Sequence, residues 1–251
     1  IQNGAKMILE TDDDNIPYLN FGTEISKDIE GKLVRSSKWV NAYKYFTDEL
    51  IWPRGISLKH IHDKGKVVGE YNKKCLIQQY LADGDPDVDA IYRLLYKKEV
   101  FFNREVSNII LDKGTWCPFN SQNTVIHKEA FHTLYLPSFV SFRMTDIWRS
   151  FVAQAALWHA DSRLAFLPAT VVQERNPHDL MDDFNDEVPG YLQNDLIITT
   201  LNKTLLNLDK QLSMGDVIEQ LWAALLVAGV ISDHEMELYR LWSKSLDLSL
   251  K

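Results

Sequence analysis

The first apolar run, Met7-Ile8-Leu9, has no polar interruption, so it reads as a buried strand with neighbours on both sides. Before it, Ile1-Gln2-Asn3-Gly4 reads as the last turn of a helix closing on glycine, which tolerates the left-handed conformation that ends helices. That helix has no beginning, and further sequence is expected upstream of Ile1. Residues 10–35 are polar and turn-rich, Lys38 to Phe46 is rich in aromatics, and Leu50 to Ile61 carries Trp52-Pro53-Arg54-Gly55. Together they predict irregular structure around a site. Lys74 to Tyr80 predicts a strand, Asp83 to Asp89 a solvated acidic loop, and Asp89 to Leu95 a short helix.

Ile109 to Leu111, Gly114 to Asn123 and Thr124 to His127 read as strand, loop and strand, followed by a helix to Tyr135. Ile147, Phe151, Ala155 and Trp158 recur at helical spacing, predicting a helix from Asp146 to about Ala160. Phe166 to Val172 is another apolar strand. Strands alternating with helices argue an α/β domain. From Val188 onward the pattern is helical only: Ser213 with Asp216, and Ser232 with Glu235, place a hydroxyl cap three residues before an acid. The expected division is residues 1–189 as the α/β domain and 190–251 as a helical appendage.

A chain of 251 residues, 45% of them hydrophobic, buries a sizeable core. The net charge of -8 and the lack of a basic stripe argue against nucleic acid as a partner. Cys75 and Cys117 have no metal-ligand spacing and offer at most one bridge. The longest apolar run, Leu221 to Val230, is about ten residues, roughly half of a membrane span.

Three aspartates directly after an apolar strand, Asp12-Asp13-Asp14, repel one another unless a cation neutralises them. On an extended backbone Asp12 and Asp14 share a side, the natural couple for a hard divalent ion. A solvated acidic turn is the plain alternative. An EF-hand is excluded: the sixth position from Asp12 is Pro17 rather than Gly, and from Asp83 it is Val88. His60-Ile61-His62 would place two imidazoles on one strand face. Glu174 and His178 stand where either reaches a metal from the opposite wall, and Asp146 at its helix start is a cap or a base.

The segments Ile1 to Lys6 leading into Glu10-Thr11-Asp12-Asp13-Asp14, then Trp52-Pro53-Arg54-Gly55, Asp112-Lys113-Gly114-Thr115-Trp116-Cys117-Pro118-Phe119-Asn120-Ser121-Gln122-Asn123-Thr124, Asp146-Ile147-Trp148-Arg149 and Arg175-Asn176-Pro177-His178-Asp179 keep a fixed order over residues 1–187. In that order the chain resembles the reversibly glycosylated polypeptides, which include the plant UDP-arabinopyranose mutases, and more closely the STELLO-type glycosyltransferase-like proteins of the Golgi.

The resemblance implies a GT-A fold lacking its N-terminal part, and a metal-dependent transfer from a nucleotide sugar, a UDP-sugar, to a glycan or protein acceptor. It implies manganese or magnesium at Asp12 and Asp14, with Glu174 or His178 near the remaining position. Asp12, Asp13, Asp14, Arg54, Asn120, Gln122 and Asn123 would hold the donor, and Asp146 would be catalytic. It also implies the Golgi lumen, as part of a longer membrane-anchored protein, with the cytoplasm as the alternative, and a partner protein or a second copy on the C-terminal helices. A non-catalytic scaffold of a polysaccharide-synthesising complex and a nucleotide-sugar mutase are the alternative functions. Two departures stand out: the self-glycosylated arginine of the polypeptides aligns with Arg54 only across a gap, and Thr145 stands where many inverting transferases carry Glu.

Overall fold

The computed structural model describes residues 1 and 3–250. In chain order the strands are β1 (Met7–Thr11), β2 (Asn15–Pro17), β3 (Asp28–Arg35), β4 (Lys66–Lys74), β5 (Ile77–Gly84), β6 (Ile109–Leu111), β7 (Asn123–His127) and β8 (Leu164–Gln173). The helices are α1 (Ala90–Leu95), α2 (Thr145–His159), α3 (Leu180–Leu205), α4 (Met214–Val227) and α5 (Asp233–Leu250). The strands form one mixed sheet in the order β1-β7-β5-β8-β6-β3-β4, with β2 also pairing with β8. Parallel pairs β5/β8 and β3/β6 sit among antiparallel ones, so the domain is of the α/β class with a mixed sheet.

Alternation along the strands decides which face is covered. Leu164 and Phe166 of β8, and Ile109 and Leu111 of β6, join the large core beneath α2, α3 and α4. Their neighbours Ala165, Leu167 and Ile110 fall in a small second cluster with Ile29, Tyr71 and Cys75. α2 is buried along nearly its whole length, with Trp148, Phe151 and Trp158 in the large core. No helix among the described residues is long and apolar enough to cross a membrane.

Several expectations are corrected. Met7 to Leu9 is an edge strand paired with β7 alone, and Met7 is exposed, because a three-residue apolar run carries no information about how many neighbours it has. The helix turn expected at Ile1 to Gly4 falls partly on Gln2, outside the described residues; Gly4 does adopt a left-handed φ of 77°. His60 closes a 3-10 turn instead of entering a strand and pairs with Asp63, leaving no imidazole pair on a strand face. The segment after His127 is a 3-10 helix, Lys128–Leu134. Both cysteines are free and buried in separate clusters.

The helical region does not begin at 190. Asp179 accepts from the amides of Met181 and Asp182 and starts α3 ten residues earlier, and α3 runs unbroken through Pro189 and Gly190. A Cβ on Gly190 would lie 2.3 Å from the Met144 sulfur, which shows how closely this helix approaches the segment leading into α2. Ile197, Ile198, Val217, Trp222 and Tyr239 belong to the same large core as Trp116 and Phe151.

Candidate functional site

The aspartate run forms a tight turn between β1 and β2 rather than extended chain, with the Asn15 amide 3.4 Å from the Asp12 carbonyl. The turn therefore sends Asp12 and Asp14 to different partners. Asp14 Oδ1 accepts from Gln173 Nε2 at 2.9 Å and Oδ2 from the Asn176 amide at 3.2 Å. Asp13 is exposed. The Asp12 amide donates to the Gln122 carbonyl at 3.2 Å, fixing the turn on the 120–123 loop. Burial, followed by the charges of Asp87, Asp14 and Asp146, raises the Asp12 carboxyl to about 6.

The acidic stretch expected to be solvated is interior. Asp83, Asp87 and Asp89 are buried, each held by a group distant in sequence. Asp83 accepts from Arg104 at 2.5 Å and from the Phe102 amide at 2.8 Å. Asp89 caps α1 through the Tyr92 amide at 2.7 Å and accepts the Trp52 indole N–H at 2.5 Å; burial pushes its carboxyl up to about 7. Asp87 receives Arg54 Nε and Nη2, and Asn120 Nδ2 at 3.0 Å. Burial alone would raise the Asp87 carboxyl, but the Arg54 guanidinium holds it well below the usual range.

Local backbone explains why Arg54 reaches this position. Pro53 makes an isolated antiparallel bridge with Val88, laying the 52–55 loop along the acidic stretch. Gly55 follows with a φ of 88°, and a Cβ there would come within 2.3 Å of Ile147 Cγ2, so only glycine lets this loop press against α2. On its other side Arg54 binds Asp146 through two nitrogens, each at 3.0 Å. Asp146 is the second residue of α2, which is preceded by Met144 in the cap position, so it is not a helix cap. Its Oδ2 also accepts the Ser121 amide at 3.3 Å.

The 120–123 loop links these groups. Gln122 Oε1 accepts the Asp87 amide at 3.2 Å while its Nε2 donates to Gln173, which in turn donates to Asp14. An unbroken chain of polar contacts thus runs Asp14–Gln173–Gln122–Asp87–Arg54–Asp146. Asn123 stands apart: its side chain donates to the Leu81 carbonyl and to Thr170 inside the sheet.

Further residues, not singled out by the sequence, hold this assembly. Arg143 Nε donates to Glu187 at 2.7 Å, and Glu187 also accepts from the Ala90 amide at 2.8 Å and the Tyr191 hydroxyl at 2.7 Å. Asn194 donates to the Gly55 carbonyl at 2.7 Å and accepts the Trp148 indole N–H at 2.9 Å. Arg149 donates to Glu10 and Ser121. The signal for the α3 group is a polar stripe at helical spacing, Asp183, Glu187 and Asn194, on a helix whose other buried positions are apolar.

Of the four candidate metal residues, Glu174 and His178 line a cleft of about 800 Å³ with Arg93 and Arg175. Asp14 touches two residues of that cleft, Gln173 and Asn176, and Asp12 faces the Asp87 side. Among the described residues no three His, Cys, Asp or Glu side chains lie close enough to hold a metal by themselves. The Asp12 carboxyl, which accepts no hydrogen bond from a described residue and carries surplus negative surroundings, still fits a hard cation. A magnesium-like ion needs only one or two carboxylates when water and ligand phosphates complete its shell.

Residues 143–249 match the family of STELLO glycosyltransferases, a span that includes Asp146, Arg175 and helices α3 to α5. The probable glycosyltransferase STELLO2 of Arabidopsis thaliana is 30% identical over 195 residues, 68% of this chain and 25% of that protein. The probable glycosyltransferase STELLO1 of the same plant is 32% identical over 142 residues, 52% of this chain and 18% of that protein. The chain thus spans a quarter or less of the length of these curated relatives.

Proposed function

We propose that this STELLO-type, glycosyltransferase-like chain carries a GT-A site that transfers a sugar from a UDP-sugar to a glycan or protein acceptor in the Golgi lumen. The observation that carries this reading is the convergence of the aspartate turn, the 120–123 loop and Asp146 through the polar chain anchored on Arg54. Asp12 would hold manganese or magnesium together with water and the donor diphosphate, with Asp14 fixing the turn through Gln173 and Asn176; such an ion would neutralise the charge developing on the leaving nucleotide.

The chain's own groups have separable tasks in this reading. Asn120 and Gln122 stiffen the wall of the sugar pocket, since their side chains are engaged by Asp87 and Gln173. Arg54 serves as a positioning residue: it is buried and fully engaged, so it is not available as a self-glycosylated acceptor, which weighs against the mutase alternative. Asp146, whose oxygens are aimed by the Arg54 guanidinium and the Ser121 amide, would orient an acceptor hydroxyl or the reacting sugar beside it. Glu174 and His178 stand at the rim of the neighbouring cleft, ready to contact a donor seated there.

The test is a thermal-shift series of UDP-sugars with and without Mn²⁺. A ligand that binds the native state raises the midpoint by mass action. A rise that needs both UDP-sugar and metal supports the reading, and no rise with any UDP-sugar in Mn²⁺ sinks it.

A further inference from the structure

The cleft beside Asp14 has a character that the metal reading leaves unexplained. In a chain of net charge -8, its walls carry Arg93, Arg175, Lys97, Lys98 and His178 against the acids Asp85, Glu99 and Glu174. Arg175 is the informative member. Its side chain is 10% exposed, its Nε is buried with no partner, and its nearest carboxylate, Asp183, is 3.6 Å away, outside hydrogen-bond distance. Arg93, also buried, spends its two terminal nitrogens on Asp85 and the Pro86 carbonyl and leaves its own Nε without a partner. A buried guanidinium normally has its five donors matched by carboxylates or carbonyls, since an orphaned donor costs its desolvation. Of the two, Arg175 stands at the cleft wall with no described group in hydrogen-bond distance, the condition in which a guanidinium can take an oxyanion.

Electrostatics agrees with the geometry. Asp183 shares its charge: Oδ1 faces Arg143 at 3.5 Å and His178 at 3.3 Å, while Oδ2, itself without a hydrogen-bond partner, faces Arg175 at 3.6 Å. Glu174, exposed on the same rim, makes no ion pair with either arginine.

We propose that this cleft is a metal-independent subsite for an oxyanion, the phosphate or carboxylate of a sugar ligand, gripped by Arg175 beside the charge of Arg93. Its volume of about 800 Å³ is that of a small-molecule site. Two sources carry the same chemistry: the diphosphate of a nucleotide sugar, in which case the inference rests on the donor reading above, and the uronate of an acidic glycan, in which case it stands alone. The planar fork of arginine suits both, and lysine would not reproduce it.

Calorimetric titration of the purified protein in EDTA with inorganic pyrophosphate, and separately with glucuronate, tests the subsite. The expected result is that at least one anion binds without metal, and that Arg175→Gln weakens it by about tenfold or more, as loss of a charge-assisted hydrogen bond does. Arg175→Lys should recover part of that loss. Pyrophosphate displaced by a UDP-sugar would identify the donor as the source; glucuronate binding would identify an acidic glycan. Failure of wild-type protein to bind either anion in EDTA overturns the proposal, and so does undiminished binding by Arg175→Gln. Pyrophosphate binding that appears only with Mn²⁺ and vanishes in Asp12→Asn also overturns it, while leaving the metal reading intact. Metal-free anion binding without any metal-dependent UDP-sugar binding upholds the subsite and removes the metal reading instead.

Discussion

Arg54 grips Asp146 with two parallel N–H···O contacts of 3.0 Å, both partners lying almost wholly out of solvent. The geometry couples the first turn of α2 to a loop about 90 residues earlier in the chain. Removing one side leaves an uncompensated buried charge, which is far costlier than the net worth of the pair. Arg54→Met is expected to lower the unfolding free energy by about 3–5 kcal/mol in urea titration. Arg54→Lys should fall between, because an ammonium cannot bridge Asp87 and Asp146 in two forks. A methionine variant as stable as wild type would mean that the clamp contributes nothing.

Asp146 is the second test. A cap would survive replacement by asparagine, but Asp146 is not in the cap position and spends both oxygens on Arg54. Asp146→Asn is expected to lower UDP release from a UDP-sugar by at least about tenfold while changing the donor dissociation constant far less. Equal losses in turnover and donor binding would reassign it to holding the donor.

What the sequence made legible follows from where the determining partners lie. Helical spacing in 146–160 and the serine caps at Ser213 and Ser232 are local signals, and the helices appear where they were expected. No local signal marks the acidic stretch 83–89 as buried, because its solvation depends on Arg54 and Arg104, remote groups that no local window contains. The run Asp12 to Asp14 is visible in the sequence, yet its two candidate ligands diverge because a turn, not a strand, carries them. Asn194 and Glu187 carry no local mark of burial, since polar residues on a helix are ordinarily solvated and only packing against Gly55 and Arg143 turns that face inward.

Asp12 offers a pH signature. Its carboxyl is raised to about 6 from 3.8, so the folded state holds the proton more tightly than the unfolded state does. Its stabilising contribution is complete below about pH 4 and is lost as pH rises through about 6. In Asp12→Asn that loss is absent: the melting temperature at pH 7 should equal or exceed that of wild type, and the pH 4–6 slope should flatten. Manganese-dependent UDP-sugar binding should vanish in the same protein. A variant that melts lower than wild type at pH 7 would contradict the surplus-charge argument, and retained metal-dependent affinity would remove the ion from this position.

The last expectation concerns whether residues beyond 190 form a separable appendage. Glu235 is fully buried at the start of α5 and accepts the Tyr135 hydroxyl and the amides of Ser138 at 2.9 Å and Phe139 at 2.6 Å. Tyr135 packs edge-on against Trp222 at 5.9 Å and Tyr239 at 5.2 Å, so the segment after β7 is sandwiched by α4 and α5. With Asn194 of α3 also holding the Gly55 loop, unfolding the helices would expose the support of Arg54. The sheet and helices are therefore expected to unfold together, with tryptophan fluorescence and far-UV dichroism giving superimposable transitions. Glu235→Ala leaves two amides and a hydroxyl without a partner and should cost about 2–4 kcal/mol, moving the whole transition rather than splitting it. A variant in which the helical signal melts first, while tryptophans buried near the sheet such as Trp39 and Trp116 stay native-like, would establish two units and restore a boundary near residue 190.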